Sequence, residues 1–205
     1  TIFTGAVMAL QVSFTLSAYG AGMFVGSFVG VSMIKELGPV LTGVMIAARV
    51  GAGIAAELGS MTVTEQIDAL RALGASPTKR LVIPRIAALV IMLPVLTVIG
   101  DALGILGGLY IGVFEIGQTP EYYWAKVREF LMIGDVISGT AKTVFFAFFI
   151  GIIACHNGLK TRGGATGVGQ ATTNTVVAAS LAIFISNFFL AKIFLLVQGL
   201  LEGVG

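Results

Sequence analysis

Two patterns alternate along this chain. Long apolar blocks carry almost no charge, and between them lie short intervals in which polar residues recur at helical spacing. Residues 1–34 contain no Asp, Glu, Lys or Arg. That block is too long for one simple bilayer pass, which takes about 20 residues. Ser17-Ala18-Tyr19-Gly20-Ala21-Gly22 is the expected break, giving a first span over 1–19 and a second over 22–56. Further apolar blocks predict spans over 86–112, 136–154 and 172–200. The pattern therefore predicts an all-α membrane protein of about five transmembrane helices in one domain over 1–205.

The interval Glu57–Arg85 stands apart, with seven charged side chains where the whole chain has twelve basic and ten acidic ones. Val63, Ile67, Leu70 and Leu73 recur at helical spacing, with Glu65, Asp68 and Arg71 between them. Thr62 and Glu65 fit a capping box at the start, Gly74 a C-terminal cap, and Pro77 a block to continuation. A short amphipathic helix over 63–73 is expected. At 1.5 Å per residue it is about 16 Å long and cannot cross a bilayer. Its apolar stripe must lie on a membrane surface or dock on another protein. Residues 113–135 are polar and aromatic. Thr119 and Pro120 open a second short helix over 120–132, and Tyr122, Tyr123 and Trp124 are grouped as an interfacial aromatic belt would be.

Several features interrupt the spans. Gly22, Gly26 and Gly30 make a small-residue face, suited either to tight packing inside one subunit or to a subunit interface or substrate groove. Lys35-Glu36-Leu37-Gly38-Pro39 predicts a kink, and charges placed there either line a polar cavity or sit solvated at a surface. Arg49 either snorkels to the interface or pairs with Glu57 or Glu36. Asp101 lies within a span that Pro94 should bend, where a lone acid either marks a functional site or is neutralised by Lys142 or Lys192 from neighbouring helices. The Phe145–Phe149 run reads as lipid-facing or packing residues. Residues 156–171 read as a Gly-rich basic loop, without the order of glycines and lysine that a phosphate-binding loop needs.

Composition narrows the function. The chain is 57% hydrophobic and 11% charged, against about 25% charged in soluble domains. A net charge of +2, with no basic run, does not suggest nucleic-acid binding. With one cysteine, Cys155, and one histidine, His156, neither an internal disulfide nor a His-based metal cluster is expected. No nucleophile–base motif or paired carboxylates stand out, so an enzyme is not expected. The chain opens at Thr1 directly in apolar sequence, with no charged segment or cleavage site of a signal peptide. A truncated N-terminus is the expectation. Basic residues in 57–85 and 156–171 put those two intervals on one side. The positive-inside rule makes it the cytoplasm, with the acidic 113–135 connection outside.

Motifs then suggest a family. Asp68-Ala69-Leu70-Arg71-Ala72-Leu73-Gly74-Ala75-Ser76, followed by Leu81-Val82-Ile83-Pro84, resembles the EAA loop by which ABC-importer permeases dock on their ATPase. Asp stands where those loops usually have Glu, and the spacing to the second segment is shorter. A longer resemblance covers nearly the whole chain. Glu36-Leu37-Gly38-Pro39-Val40, AARVGAGIAAELGSM over 47–61, Thr64-Glu65-Gln66-Ile67, Pro84-Arg85 and GVGQATTNTVV over 167–177 are similar, in order, to the MlaE/YrbE permease family. The family normally has an interfacial helix before the first span, and residues 1–205 begin at the expected first span. Lys35 also stands where some relatives have Arg.

The resemblance implies the permease subunit of an ABC transporter that moves phospholipids between bacterial membranes. It implies a homodimer in the bacterial inner membrane, and the topology read from the charges makes 120–132 a periplasmic interfacial helix. Two ATPase subunits would lie on the cytoplasmic side, a hexameric MCE-domain protein on the periplasmic side, and in some systems a STAS-domain protein on the ATPase. ATP and Mg would belong to the ATPase, with no cofactor or metal on this chain. Carried over by register, the lipid pocket falls on Gln11, Thr15, Tyr19, Lys35, Glu36 and Leu37. Coupling to the ATPase falls on Glu65, Ile67, Asp68, Leu70, Arg71, Leu73 and Gly74 of the 63–73 helix, with Ile67, Leu70 and Leu73 as the inserted face. The competing readings are a permease for a small solute, such as an amino acid or metal ion, and a membrane scaffold without transport.

Overall fold

The structure is a computed structural model that describes residues 1–202, and the described residues form helices and turns without strands. We number the helices α1 Ile2–Ser17, α2 Gly22–Val63, α3 Gln66–Ala72, α4 Thr78–Phe114, α5 Pro120–Phe130, α6 Ile133–Leu159 and α7 Gly164–Glu202. Four of them, α2, α4, α6 and α7, are long and apolar enough to cross a membrane. The first expected span is shorter than predicted. At 16 residues α1 is about 24 Å long, less than a hydrocarbon core of about 30 Å.

Each long helix extends beyond the predicted span. The second runs to Val63 rather than 56, and the third begins at Thr78 rather than 86, so Lys79, Arg80 and Arg85 sit on its first turns. The Gly-rich interval 156–171 is mostly helical, and only residues 160–163 turn the corner between α6 and α7. Gly163 (φ +90°) and Gly164 (φ +68°) make that corner. A Cβ on Gly167 would stand 1.9 Å from the Arg162 carbonyl oxygen, so the third glycine admits the turning backbone.

Lys35–Pro39 does not break α2. Instead Met33–Leu37 widens into a π-helical turn, with the Gly38 N–H reaching back to the Met33 carbonyl. Proline explains the placement. Pro39 has no N–H, and its ring would collide with the carbonyl four residues earlier in a regular α-helix. A wider turn relieves that contact. The same geometry recurs at the start of α4, where Thr78–Val82 is π-helical and Pro84 follows at the same offset. A third π turn, Ala47–Gly51, carries Arg49 and has no proline after it.

The helices group into two compact units. The first comprises Thr1–Thr42 and Pro94–Ala141, and the second begins with Gly43–Leu93 and resumes at Lys142. The core of the first unit gathers Ala9, Val25, Val29, Met33, Ile34, Ile105, Ile111, Tyr123 and Val127. The Gly26–Gly30 face is used here, inside one chain. Cβ positions on these glycines lie 3.1 Å from the Tyr123 ring and from Val127, so they admit α5 against α2.

Tyr123 accordingly does not join an interfacial belt. It is fully buried, and its hydroxyl donates to the Ile105 carbonyl at 3.3 Å. Burial pushes its phenol above the usual tyrosine range, so it remains a donor. Thr119 caps α5 as expected, its hydroxyl accepting the Tyr122 N–H at 3.3 Å. Tyr123→Phe should lose about 1 kcal/mol of stability with the hydrogen bond, and Tyr123→Ala about 3–5 kcal/mol with the ring. Thermal unfolding in detergent checks both, and equal losses would mean that the hydroxyl, not the ring, holds α5.

In the second unit α2 packs on α6 and α7. Gly43 meets Phe146 and Ile183, Gly51 meets Ile150 and Thr175, and Gly158 meets Leu58. Phe145, Phe148 and Phe149 are exposed on α6 while Phe146 is buried, the division expected of a helix with one lipid-facing side.

Candidate functional site

The predicted site residues of the long helices and of the short amphipathic helix bring two places into view. One lies in the first unit, around the π turn of α2. Lys35 projects from it to an ion pair with Asp135 at 2.7 Å, the two side chains being 30% and 5% exposed. Asp135 stands in the first turn of α6 and also accepts the Met132 N–H at 3.2 Å. Glu36 is half-buried beside Lys35, and Leu37 packs on the core cluster.

On another side of the same turn lies Asp101 of α4. It is 8% exposed, and its Oδ1 has no hydrogen-bond partner. A Cβ on Gly38 would fall 1.5 Å from that oxygen, so the carboxylate rests directly against the glycine backbone. Gly139, one turn beyond Asp135 on α6, abuts the Ile34 carbonyl with a Cβ position 2.1 Å from the oxygen. Charges and backbone contacts thus surround the π turn within one unit.

The α1 members of the predicted pocket lie elsewhere. Gln11 and Thr15 are exposed and share a face, with Thr15 Oγ1 donating to the Gln11 carbonyl at 3.0 Å. The core-facing side of α1 is Ala9 with Ala6, Val12 and Leu16. Tyr19 is 81% exposed and lies beyond the helix, because α1 ends at Ser17, so the common register with Gln11 stops short of it. Within this chain, therefore, Gln11, Thr15 and Tyr19 lie exposed on or beyond α1, while Lys35, Glu36 and Leu37 lie at the π turn of α2. Sequence reading missed Asp135, although an acid at the head of a span beside a cation within another span is the available signal.

The second place lies in the second unit, on α3. The helix begins at Gln66 and not at 63. Thr62 and Glu65 form no capping box. Thr62 still belongs to α2, its hydroxyl donating to the Leu58 carbonyl at 2.8 Å, and Glu65 occupies the left-handed region at φ 60°. Gly74 ends the helix as expected, at φ +73°. Its N–H reaches the Arg71 carbonyl, and that of Ala75 the Leu70 carbonyl.

The apolar stripe divides. Ile67 is 3% exposed and turned into the chain's own body, Leu70 is half-buried, and Leu73 is 83% exposed. Ile67 is thus an anchor and not part of an inserted face, because the residue that holds α3 to its own subunit cannot also be presented. The presented surface is Glu65, Asp68, Arg71 and Leu73, with Asp68 and Arg71 paired at 2.8 Å. Glu57 pairs with Arg85 at 2.7 Å, so Arg49 does not hold it.

The intervals 57–63 and 158–162 meet, which accords with their assignment to one side of the membrane. Thr62 Oγ1 lies 3.3 Å from the Gly158 carbonyl, and Gly59 abuts Thr161. Four apolar helices of spanning length, charges within them and a short exposed helix between two of them are the parts of a permease. The sequence model of the family described as Permease MlaE matches residues 1–193. The chain belongs to the MlaE permease family.

Among MlaE-family relatives, a probable ABC transporter permease protein of Rickettsia conorii is 45% identical over 194 residues, 95% of this chain and 75% of that protein. One of a Synechocystis species is 45% identical over 197 residues, 96% of this chain and 74% of that one. The intermembrane phospholipid transport system permease protein MlaE of Haemophilus influenzae is 37% identical over 193 residues, 94% of this chain and 74% of that one. As an MlaE-family ABC transporter permease, this is a multi-pass membrane protein and a transport component with an ATPase as partner.

Proposed function

We propose that this permease moves phospholipids between the inner and outer membranes of a bacterium, powered by ATP hydrolysis on a separate subunit. The observation that carries the reading is the similarity, over nearly the whole chain, to a permease named for intermembrane phospholipid transport. The side chains fit the substrate class. A phospholipid needs an apolar wall for its acyl chains and a cation for its phosphate. Lys35 and Glu36 supply charge within residues 22–48 of α2, which hold no other charged side chain.

The α1 face bearing Gln11 and Thr15, with Tyr19 beyond it, is open in one chain, so a second copy would complete the pocket as a homodimer. The ATPase would dock on α3 through Glu65, Asp68, Arg71 and Leu73. Ile67, Leu70 and Gly74 would hold that helix in place. An MCE-domain hexamer would receive lipid outside, and a STAS-domain protein would bind the ATPase.

The test is mass spectrometry of lipid copurified with the assembled transporter, together with lipid transfer between vesicles. Wild type should carry phospholipid, and Lys35→Ala with Glu36→Ala should lower both readouts several-fold. Unchanged bound lipid and transfer would remove these residues from the pocket. ATP hydrolysis that responds to an amino acid or metal ion and not to lipid would replace the substrate class. Hydrolysis indifferent to every substrate would leave a scaffold.

A further inference from the structure

Beside α3 the structure forms a basin of about 660 Å³. One wall is α3 with Ile67, Asp68 and Arg71, and the other is the corner from Leu159 to Gly164 that joins α6 to α7. The corner is not a loose loop. Thr161 is 6% exposed, packs on Gly59 of α2 and donates its hydroxyl to the Asn157 carbonyl at 3.1 Å. Thr62, four residues before α3, reaches the Gly158 carbonyl. The two walls are therefore fastened to the same end of α2.

Their charges differ. Arg71 is neutralised by Asp68. Lys160 and Arg162 are exposed on the opposite wall, and no ion pair engages either of them among the described residues. The basin is thus continuous with the proposed docking helix; its α3 wall carries the exposed acid Glu65, and its corner wall carries two cations that no acid among the described residues pairs with. We infer that Lys160 and Arg162 are a second docking point for the ATPase subunit, receiving Asp or Glu side chains of a segment seated in the basin. The inference rests on the reading that the ATPase docks on α3. A partner held on both walls would transmit its motion to α2, α6 and α7 together.

The assembled transporter, reconstituted in nanodiscs of neutral phosphatidylcholine, tests this in two ways. Zero-length carbodiimide coupling of the unaltered complex should join the Lys160 amine to a carboxylate of the ATPase, identified by mass spectrometry. Lys160→Glu with Arg162→Glu should weaken ATPase binding on the order of tenfold or more, since reversal sets like charges together. Lys160→Arg with Arg162→Lys should keep it within about twofold, the net charge of the corner wall being unchanged. A cysteine at Leu73 reports the α3 contact separately, by crosslinking to the ATPase. If Leu73→Cys crosslinks while Lys160 does not couple and reversal leaves affinity unchanged, the second docking point is wrong and docking on α3 stands. If Leu73→Cys fails as well, both fall. An effect of reversal confined to nanodiscs with anionic lipid would assign the cations to headgroups and overturn the inference.

Discussion

Asp135→Ala is expected to destabilise the permease by about 1–3 kcal/mol, less than the loss from a fully buried ion pair because the Lys35 side chain left behind is 30% exposed. Lys35 would be left with its ammonium in an apolar span, with its salt-bridge partner removed. The carboxylate also has a second task, since it accepts the Met132 N–H at the start of α6. An acid in the first turn of a helix is favoured by the exposed N–H groups there, and a cation is not. This asymmetry makes the charge exchange informative. Lys35→Asp with Asp135→Lys keeps the pair but sets a lysine against the head of α6, so it should recover only part of the loss. Thermal unfolding in detergent, run beside lipid transfer, separates the contributions. Full recovery by the exchange would show that the pair alone matters, and full stability of Asp135→Ala would show that Lys35 has no need of it.

Element type was legible wherever apolar blocks were long or caps were specific. Thr119-Pro120 placed α5 because the hydroxyl accepts an N–H there and proline at the first helical position sacrifices nothing. Gly74 ended α3 because the left-handed turn costs a glycine little. The capping box failed for a tertiary reason. Thr62 finds two carbonyl acceptors, Leu58 and Gly158, so it extends α2 and does not open α3. The glycines of 156–171 suggested a loop by composition, yet Gly158 and Gly167 serve helix packing and backbone approach. Tyr123 was grouped with its neighbours by sequence, whereas helical rotation sends it to the core and leaves Tyr122 outside. Of the candidate site, Lys35 and Glu36 were visible as charges within a span, but Asp135 became a partner only through folding. The π turns were legible in part. Proline foretells the two that precede Pro39 and Pro84, while no local residue foretells the one at Arg49.

Gly139→Val is expected to prevent the first unit from packing. The π turn creates the sensitivity. In a regular α-helix the Ile34 carbonyl would accept from Gly38, but that N–H is directed to Met33. The next residue along, Pro39, has no N–H. The Ile34 carbonyl is therefore left without a donor inside its own helix, and it is the atom that faces Gly139. Only a glycine lets the α6 backbone come close enough to cover it, with Cα–H groups as weak donors. Any Cβ would lie 2.1 Å from the oxygen, closer than two nonbonded atoms stand. The obstacle is backbone on both sides, so a rotamer change cannot relieve it and the helices must separate. Overpacking of this kind costs about 1–3 kcal/mol where side chains can yield, and more is expected where they cannot. Separation would also lengthen the Lys35–Asp135 pair, one turn away on the same helix, so the damage should reach the charge site. Gly139→Ala should show the same defect in weaker form, with a lower unfolding temperature and less copurified lipid. Gly134→Ala, where nothing stands within 4 Å of a Cβ, is the control and should leave both unchanged. Equal behaviour of the Gly139 and Gly134 variants would mean that α6 does not approach the π turn as closely as described.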